Sequence, residues 1–221
     1  MKLNELKSYF PENVYSLLEK KGFEDLRPSQ FKSVKAGLFE DKNLLVCTPT
    51  ASGKTLVGEL SLLNSVLNKR KKGVYIVPLR SLASEKYEYF KEAYPELRIG
   101  IGSGDVDAVD KYLELCDVII VTSEKLDSLI RHRVPWLEDI STLVVDEIHL
   151  LNDVNRGPTL EVVITIILEN FKQAQLIGLS ATIGNPFELA KWLNADLIED
   201  GWRPVKLKKG ILFGNELDLN E

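Results

Sequence analysis

The octapeptide Thr48 to Thr55, Thr-Pro-Thr-Ala-Ser-Gly-Lys-Thr, follows the apolar run Asn43-Leu44-Leu45-Val46-Cys47 and opens a helical pattern that continues to about Lys69. A chain that leaves a strand, turns tightly and enters a helix offers backbone N–H groups to an anion, at a helix end whose dipole also favours negative charge. This is the pattern of a phosphate-binding loop. Thr50, Ala51 and Ser52 form the turn, and Gly53 lets the backbone approach the phosphates. Lys54 then reaches the terminal phosphates of a nucleotide, and the Thr55 hydroxyl holds a magnesium ion. The generic pattern has Gly at its first position, where this chain has Thr48. Pro49 and Ser52 still fix a tight loop, and the departure fits a narrower variant of the motif.

From Asn43 onward, short apolar strands alternate with amphipathic helices. The pattern predicts strands at 43–47, 73–77, 97–101, 117–121, 140–145 and 175–179, with helices near 54–69, 81–93, 106–114, 123–131 and 158–171. Continuous apolar runs such as Val118-Ile119-Ile120-Val121 imply a sheet buried on both faces, hence parallel and covered by helices. The expected fold is α/β, a doubly wound and mostly parallel sheet. Upstream, Leu3, Leu6, Val14, Leu17 and Leu18 recur at helical spacing until Gly22, and Phe31, Val34 and Leu38 mark a further helix to about Phe39. The expected organisation is a helical extension over 1–27, a nucleotide-binding domain over 28–204 and a charged, strand-like tail over 205–221.

Every expected strand ends, at its carboxyl side, in a polar turn-forming cluster. These are Thr48 to Thr55, Pro78 to Ser81, Gly102 to Asp105, Thr122 to Lys125, Asp146 to His149 and Ser180 to Thr182. Open parallel sheets bind ligands along that edge. Helix caps alone account for Ser123 or Asp105. They do not account for Leu143-Val144-Val145-Asp146-Glu147, a buried strand that runs straight into two carboxylates. Beside a phosphate-binding loop, Asp146 holds the magnesium ion and Glu147 orients the water that attacks the γ-phosphate.

Composition narrows the setting. The net charge of -5 argues mildly against a nucleic-acid partner, whose binding domains often carry a basic surplus. Two cysteines and two histidines make neither a disulfide framework nor a zinc centre. No apolar run approaches the roughly 20 residues of a membrane span, and Met1 to Tyr9 lacks the apolar core of a secretory signal. An intracellular protein with no membrane partner is expected.

In order and spacing, Thr-Pro-Thr-Ala-Ser-Gly-Lys-Thr, Asp-Glu-Ile-His and Ser-Ala-Thr resemble motifs I, II and III of superfamily 2 DExH-box helicases. The Ski-two-like branch, and within it the archaeal Hjm-type DNA helicases, is the nearest likeness. The resemblance implies a RecA-like domain that uses ATP and magnesium. It makes Gln30, in Arg27-Pro28-Ser29-Gln30, the adenine-reading glutamine, and gives His149, Ser180 and Thr182 the coupling between motifs II and III. It places Arg80, Ser81, Gly104, Asp105, Thr122, Ser123 and Lys125 on the sugar-phosphate backbone of a single or forked strand. Hydroxyls, N–H groups and isolated cations at helix starts bind phosphates without a basic surplus, which lets an acidic chain track a polyanion.

The family's arginine-bearing second RecA-like domain has no counterpart in these residues. The resemblance therefore implies the first motor domain of a larger 3′-5′ DNA helicase, weak in hydrolysis alone. DNA and RNA remain open, because backbone contacts do not separate them without a reader of the 2′-hydroxyl. A nucleotide-gated binding module is the reading from another class.

Overall fold

The computed structural model describes residues 1–102, 110–205, 209–213 and 216–220. Seven strands form one sheet: Leu44–Cys47 (β1), Lys72–Val77 (β2), Ile99–Gly102 (β3), Val118–Thr122 (β4), Ile140–Val145 (β5), Gln175–Ser180 (β6) and Asp196–Glu199 (β7). Their order is β3-β4-β2-β5-β6-β1-β7, and every neighbouring pair is parallel. The α/β doubly wound class read from the sequence is therefore the observed one, with the sheet parallel throughout. A separate antiparallel hairpin pairs Lys209–Phe213 (β8) with Glu216–Asn220 (β9).

Parallel neighbours need long crossovers, and helices supply them. Glu12–Lys20 (α1) and Pro28–Lys35 (α2) precede β1; the crossovers hold Lys54–Leu67 (α3), Arg80–Ala93 (α4), Asp110–Leu113 (α5), Ser123–Arg131 (α6), Gly157–Asn170 (α7) and Pro186–Trp192 (α8). The period-two alternation of each strand splits the interior into two layers. Leu44 and Val46 of β1, with Tyr75 and Val77 of β2, face α3, α4 and the N-terminal helices. Leu45 and Cys47, with Val74 and Ile76, face α6, α7 and α8. Full burial of side chains of this size is worth roughly 1.5–3 kcal/mol each, so the two layers dominate the fold's stability. Leu3, Leu6, Val14 and Leu18 lie in the first layer, which packs residues 1–27 against the sheet's own covering helices.

The helix expected to reach Phe39 ends at Lys35, because Gly37 adopts φ 103 and turns the chain. Leu38 is nevertheless fully buried. The helix expected over 106–114 is observed as Asp110–Leu113, and residues 103–109 lie outside the described set.

One buried acid sits under the first layer. Glu59 of α3 is 2% exposed and accepts hydrogen bonds from the Tyr89 and Tyr94 hydroxyls. Burial raises its carboxyl above the usual range, and the two hydroxyls with the Lys86 and Lys21 charges only partly offset this. The folded chain thus keeps a proton that the unfolded chain releases at lower pH, so stability falls as pH rises from the ordinary carboxylate range through the folded pKa. Replacing Glu59 by Gln keeps an acceptor for the tyrosines and removes that loss. Thermal melts of Glu59→Gln are expected to exceed the parent by about 2–4 °C at pH 8 and to match it near pH 4; an equal difference at both pH values would contradict this account.

Candidate active site

The loop between β1 and α3 is held by its own side chains and by α2. Thr48 Oγ1 and Ser52 Oγ share a hydrogen bond of 2.7 Å, and both residues are buried. Ala51 and Gly53 take φ of 65 and 91, the alternation that curls backbone into an anion-binding concavity. Thr50 and Ala51 are exposed at the apex. A Cβ on Gly53 would lie 2.6 Å from Gln30 Nε2 and 2.9 Å from Arg27 Nη1, so only glycine fits this close approach.

Gln30 is the tie between α2 and the loop. Its Oε1 accepts from the Arg27 N–H at 2.8 Å and its Nε2 donates to the Gly53 carbonyl at 2.9 Å. A side-chain amide has two N–H groups and two lone pairs, so one of each remains for an adenine edge. Arg27 Nη1 donates to the Ala51 carbonyl at 2.9 Å, and its guanidinium lies 5.6 Å from the Trp202 ring centroid. The segment bearing Trp202 is fastened to α2 by Lys32, 2.8 Å from Asp200 Oδ2, and Asp200 Oδ1 accepts the Trp202 N–H at 2.7 Å.

Across the sheet, β5 delivers Asp146 and Glu147 beside the loop. Asp146 Oδ1 accepts the Glu147 N–H at 3.0 Å, and Oδ2 accepts the Tyr75 hydroxyl at 2.7 Å. Glu147 adopts φ 50 and ψ 43, a left-handed conformation that costs a non-glycine residue on the order of 1–3 kcal/mol. That turn sets Glu147 Oε1 3.8 Å from Lys54 Nζ and Oε2 3.3 Å from His149 Nδ1, the latter without hydrogen-bond alignment. Lys54 is buried and Thr55 half-buried at the start of α3.

Ser180 ends β6, fully buried opposite Cys47, and its carbonyl accepts the Thr48 N–H at 3.2 Å. Burial pushes the Cys47 thiol up to about 11, against a lowering contact from the Ser180 hydroxyl. Thr182 is exposed. Among the described residues no hydrogen bond joins His149 to Ser180 or Thr182; the histidine lies against Glu147 instead.

The residues expected on a nucleic-acid strand fall at the other half of the rim. Arg80 and Ser81 open α4 and are exposed. Thr122 Oγ1 caps α6 by accepting the Lys125 N–H at 3.3 Å, and Thr122, Ser123 and Lys125 are 5%, 4% and 6% exposed. Gly104 and Asp105 lie outside the described residues. Among the described residues the sheet order thus divides the rim: β4 and β2 carry the residues expected on a strand, and β5, β6 and β1 those expected on the nucleotide.

The Arg156-Gly157-Pro158-Thr159 segment, opaque in the sequence, has a steric reason here. A Cβ on Gly157 would sit 2.2 Å from the Leu151 carbonyl oxygen, so glycine is required where the chain doubles back from the carboxylate turn into α7. Asp153 Oδ1 accepts the Asn155 and Arg156 N–H groups, each at 2.9 Å, and fixes the turn.

The pattern of the DEAD/DEAH box helicases matches residues 27–189, a stretch that holds both halves of this rim. The chain belongs to the DEAD/DEAH box helicase family. Among its helicase relatives are three proteins named ATP-dependent DNA helicase Hel308. That of Methanococcus vannielii is 52% identical over 214 residues, 93% of this chain and 28% of the relative. That of Methanocaldococcus jannaschii is 54% identical over 213 residues, 93% and 18%. That of Pyrococcus abyssi is 49% identical over 214 residues, 96% and 29%. The chain therefore spans less than a third of the length of these relatives. The DUF1998 helicase MrfA, solved bound to DNA, superimposes with a TM-score of 0.74 at 25% identity, over 87% of this chain and 30% of that one. These findings bear out the superfamily 2, Ski-two-like resemblance carried by motifs I, II and III.

Proposed function

We propose that this helicase-family chain is the ATP-binding motor domain of a DNA helicase that moves along one strand 3′ to 5′. The observation that carries it is the convergence of Lys54, Glu147 and His149, with Glu147 between the Lys54 ammonium at 3.8 Å and the His149 imidazole at 3.3 Å. Gln30, Thr50, Ala51, Ser52, Gly53, Lys54 and Thr55 hold the nucleotide, and Thr55 with Asp146 holds magnesium. Magnesium takes one or two carboxylates plus water and substrate phosphates, and one hydroxyl with one carboxylate is a set of that kind. Bound there, it would neutralise charge on the terminal phosphates. Lys54 steers the same phosphates, and Glu147 orients the attacking water and takes its proton. His149, Ser180 and Thr182 relay the nucleotide's state.

The strand lies along Arg80, Ser81, Gly104, Asp105, Thr122, Ser123 and Lys125. A second RecA-like domain of the same protein supplies the arginine that completes the site, with 28–204 as the first such domain, 1–27 as its helical buttress and 205–221 leading onward. Among the described residues no helix is long and apolar enough to cross a membrane, and the site of action is intracellular DNA at forks or junctions. That these relatives are named DNA helicases favours DNA over RNA.

The test is nucleotide binding and hydrolysis by the chain with and without single-stranded DNA or RNA. ATP binding in the micromolar range, with turnover stimulated more by DNA, is expected. Preferential stimulation by RNA would move the chain to the RNA branch, and absence of ATP binding would overturn the proposal.

A further inference from the structure

The rim's two halves meet at the β2–β5 seam, and one side chain crosses it. Lys86, on the inner face of α4, places Nζ 3.8 Å from Asp146 Oδ2, with side-chain exposures of 18% and 11%. Its ammonium also lies 5.6 Å from the Tyr75 ring centroid, and the Tyr75 hydroxyl donates to the same Oδ2. The Lys86 charge also acts on Glu59, the acid buried under α4 that Tyr89 and Tyr94 hold. The helix that carries Lys86 begins with Arg80 and Ser81, six residues or about 9 Å away along the axis.

We infer that Lys86 is a positioning residue that couples the strand-binding end of α4 to the metal site, acting as the counter-ion of Asp146 that a divalent cation must displace. The inference rests on the proposed placement of magnesium at Asp146. Two cations sharing one partly buried carboxylate repel at an effective dielectric far below that of water. A lysine on a flexible four-carbon stem relieves this by moving. Lys86 rides on α4, so a shift of its ammonium and a shift of the helix are linked. A strand held at Arg80 and Ser81 biases the position of α4 and hence of Lys86. Coupling of this kind is reciprocal: whatever the strand does to metal affinity, the metal does to strand affinity. Tyr75, fixed inside the first layer, keeps Oδ2 in place while its charged neighbour changes.

The experiment measures Mn2+ affinity by electron paramagnetic resonance on the nucleotide-bound chain, with and without a single-stranded DNA oligomer, in the parent, Lys86→Met and Lys86→Arg. Nucleotide binding in EDTA is measured alongside. Lys86→Met retains the stem that packs on Tyr75 and is expected to tighten Mn2+ binding on the order of tenfold by removing the competing charge. It is also expected to abolish the several-fold dependence of Mn2+ affinity on DNA, while Lys86→Arg retains both parental values. Unchanged Mn2+ affinity in Lys86→Met, or a DNA effect that persists in it, overturns the inference. The same nucleotide titration repeated in excess Mg2+ separates the two failures: a parent that binds no nucleotide there overturns the active-site reading beneath the inference.

Discussion

Lys54→Ala is expected to raise the dissociation constant of ATP at least about tenfold and to bring DNA-stimulated hydrolysis down to that of a protein-free control. Removing one preorganised charge or donor aimed at the reacting phosphate costs on the order of 10²–10³ in rate. Two features of the site push the effect to the upper end. Lys54 is buried, 7% exposed, so its charge acts on the phosphates without much screening by water. Glu147 lies 3.8 Å from it, and without Lys54 that carboxylate faces an incoming polyanion with one cationic neighbour fewer. The fold is expected to persist. Lys54 is the first residue of α3, alanine is the best helix former, and the side chain's ionic neighbour is Glu147, another site residue rather than the core. Isothermal titration with ATP, and thermal melts alongside, check both halves of the statement. Parental ATP affinity in a folded Lys54→Ala chain would remove the phosphate-binding loop from the proposed mechanism.

Much of this site was readable before any coordinates because its parts are local. Thr48 to Thr55 is contiguous, Asp146 and Glu147 are adjacent, and a strand buried on both faces announces itself as a run of Val, Ile and Leu. The widest disagreement among the expected strands is at Ile99–Gly102, predicted over 97–101. The missed elements are those whose formation depends on tertiary neighbours. Asp196–Glu199 is an edge strand with only Ile198 buried, so it shows no apolar period and exists through its pairing with β1. Pro186–Trp192 is too short to show a helical stripe. The same distinction divides the site residues. Tyr75 and Lys86 reach Asp146 only because β2 lies beside β5, an adjacency that sheet order decides and chain order hides. Lys125 reads from sequence as a rim cation, whereas its stem packs near Gly102, whose Cβ would be 3.2 Å from Lys125 Cγ. The doubled role of Gln30 was half visible: the amide's capacity follows from its chemistry, but its grip on the Gly53 carbonyl follows from how α2 meets the loop.

Glu147→Gln is expected to separate binding from chemistry. The substitution keeps the side chain's length and an oxygen acceptor, so ATP affinity is expected to stay within about threefold of the parent, shifted toward tighter binding because a charge facing the phosphates is gone. Turnover is expected to fall by about 10²–10⁴, the usual worth of a positioned general base. The structure gives a reason why no neighbour can substitute. Asp146 has one carboxyl oxygen engaged by the Glu147 N–H and the other by the Tyr75 hydroxyl, and it is turned toward β2 rather than toward Lys54. His149 Nδ1 lies 3.3 Å from Glu147 Oε2 without hydrogen-bond alignment, so the imidazole is not anchored where the carboxylate acts. The left-handed backbone at Glu147 adds weight, since a residue with no chemical duty at φ 50 would be better replaced by glycine or asparagine. Single-turnover hydrolysis and fluorescent-nucleotide titration on the same preparation provide the check. Parental turnover in Glu147→Gln, with DNA binding still gated by ATP, is the behaviour of a nucleotide-gated binding module, and it would transfer the chain from the class of motors to that one.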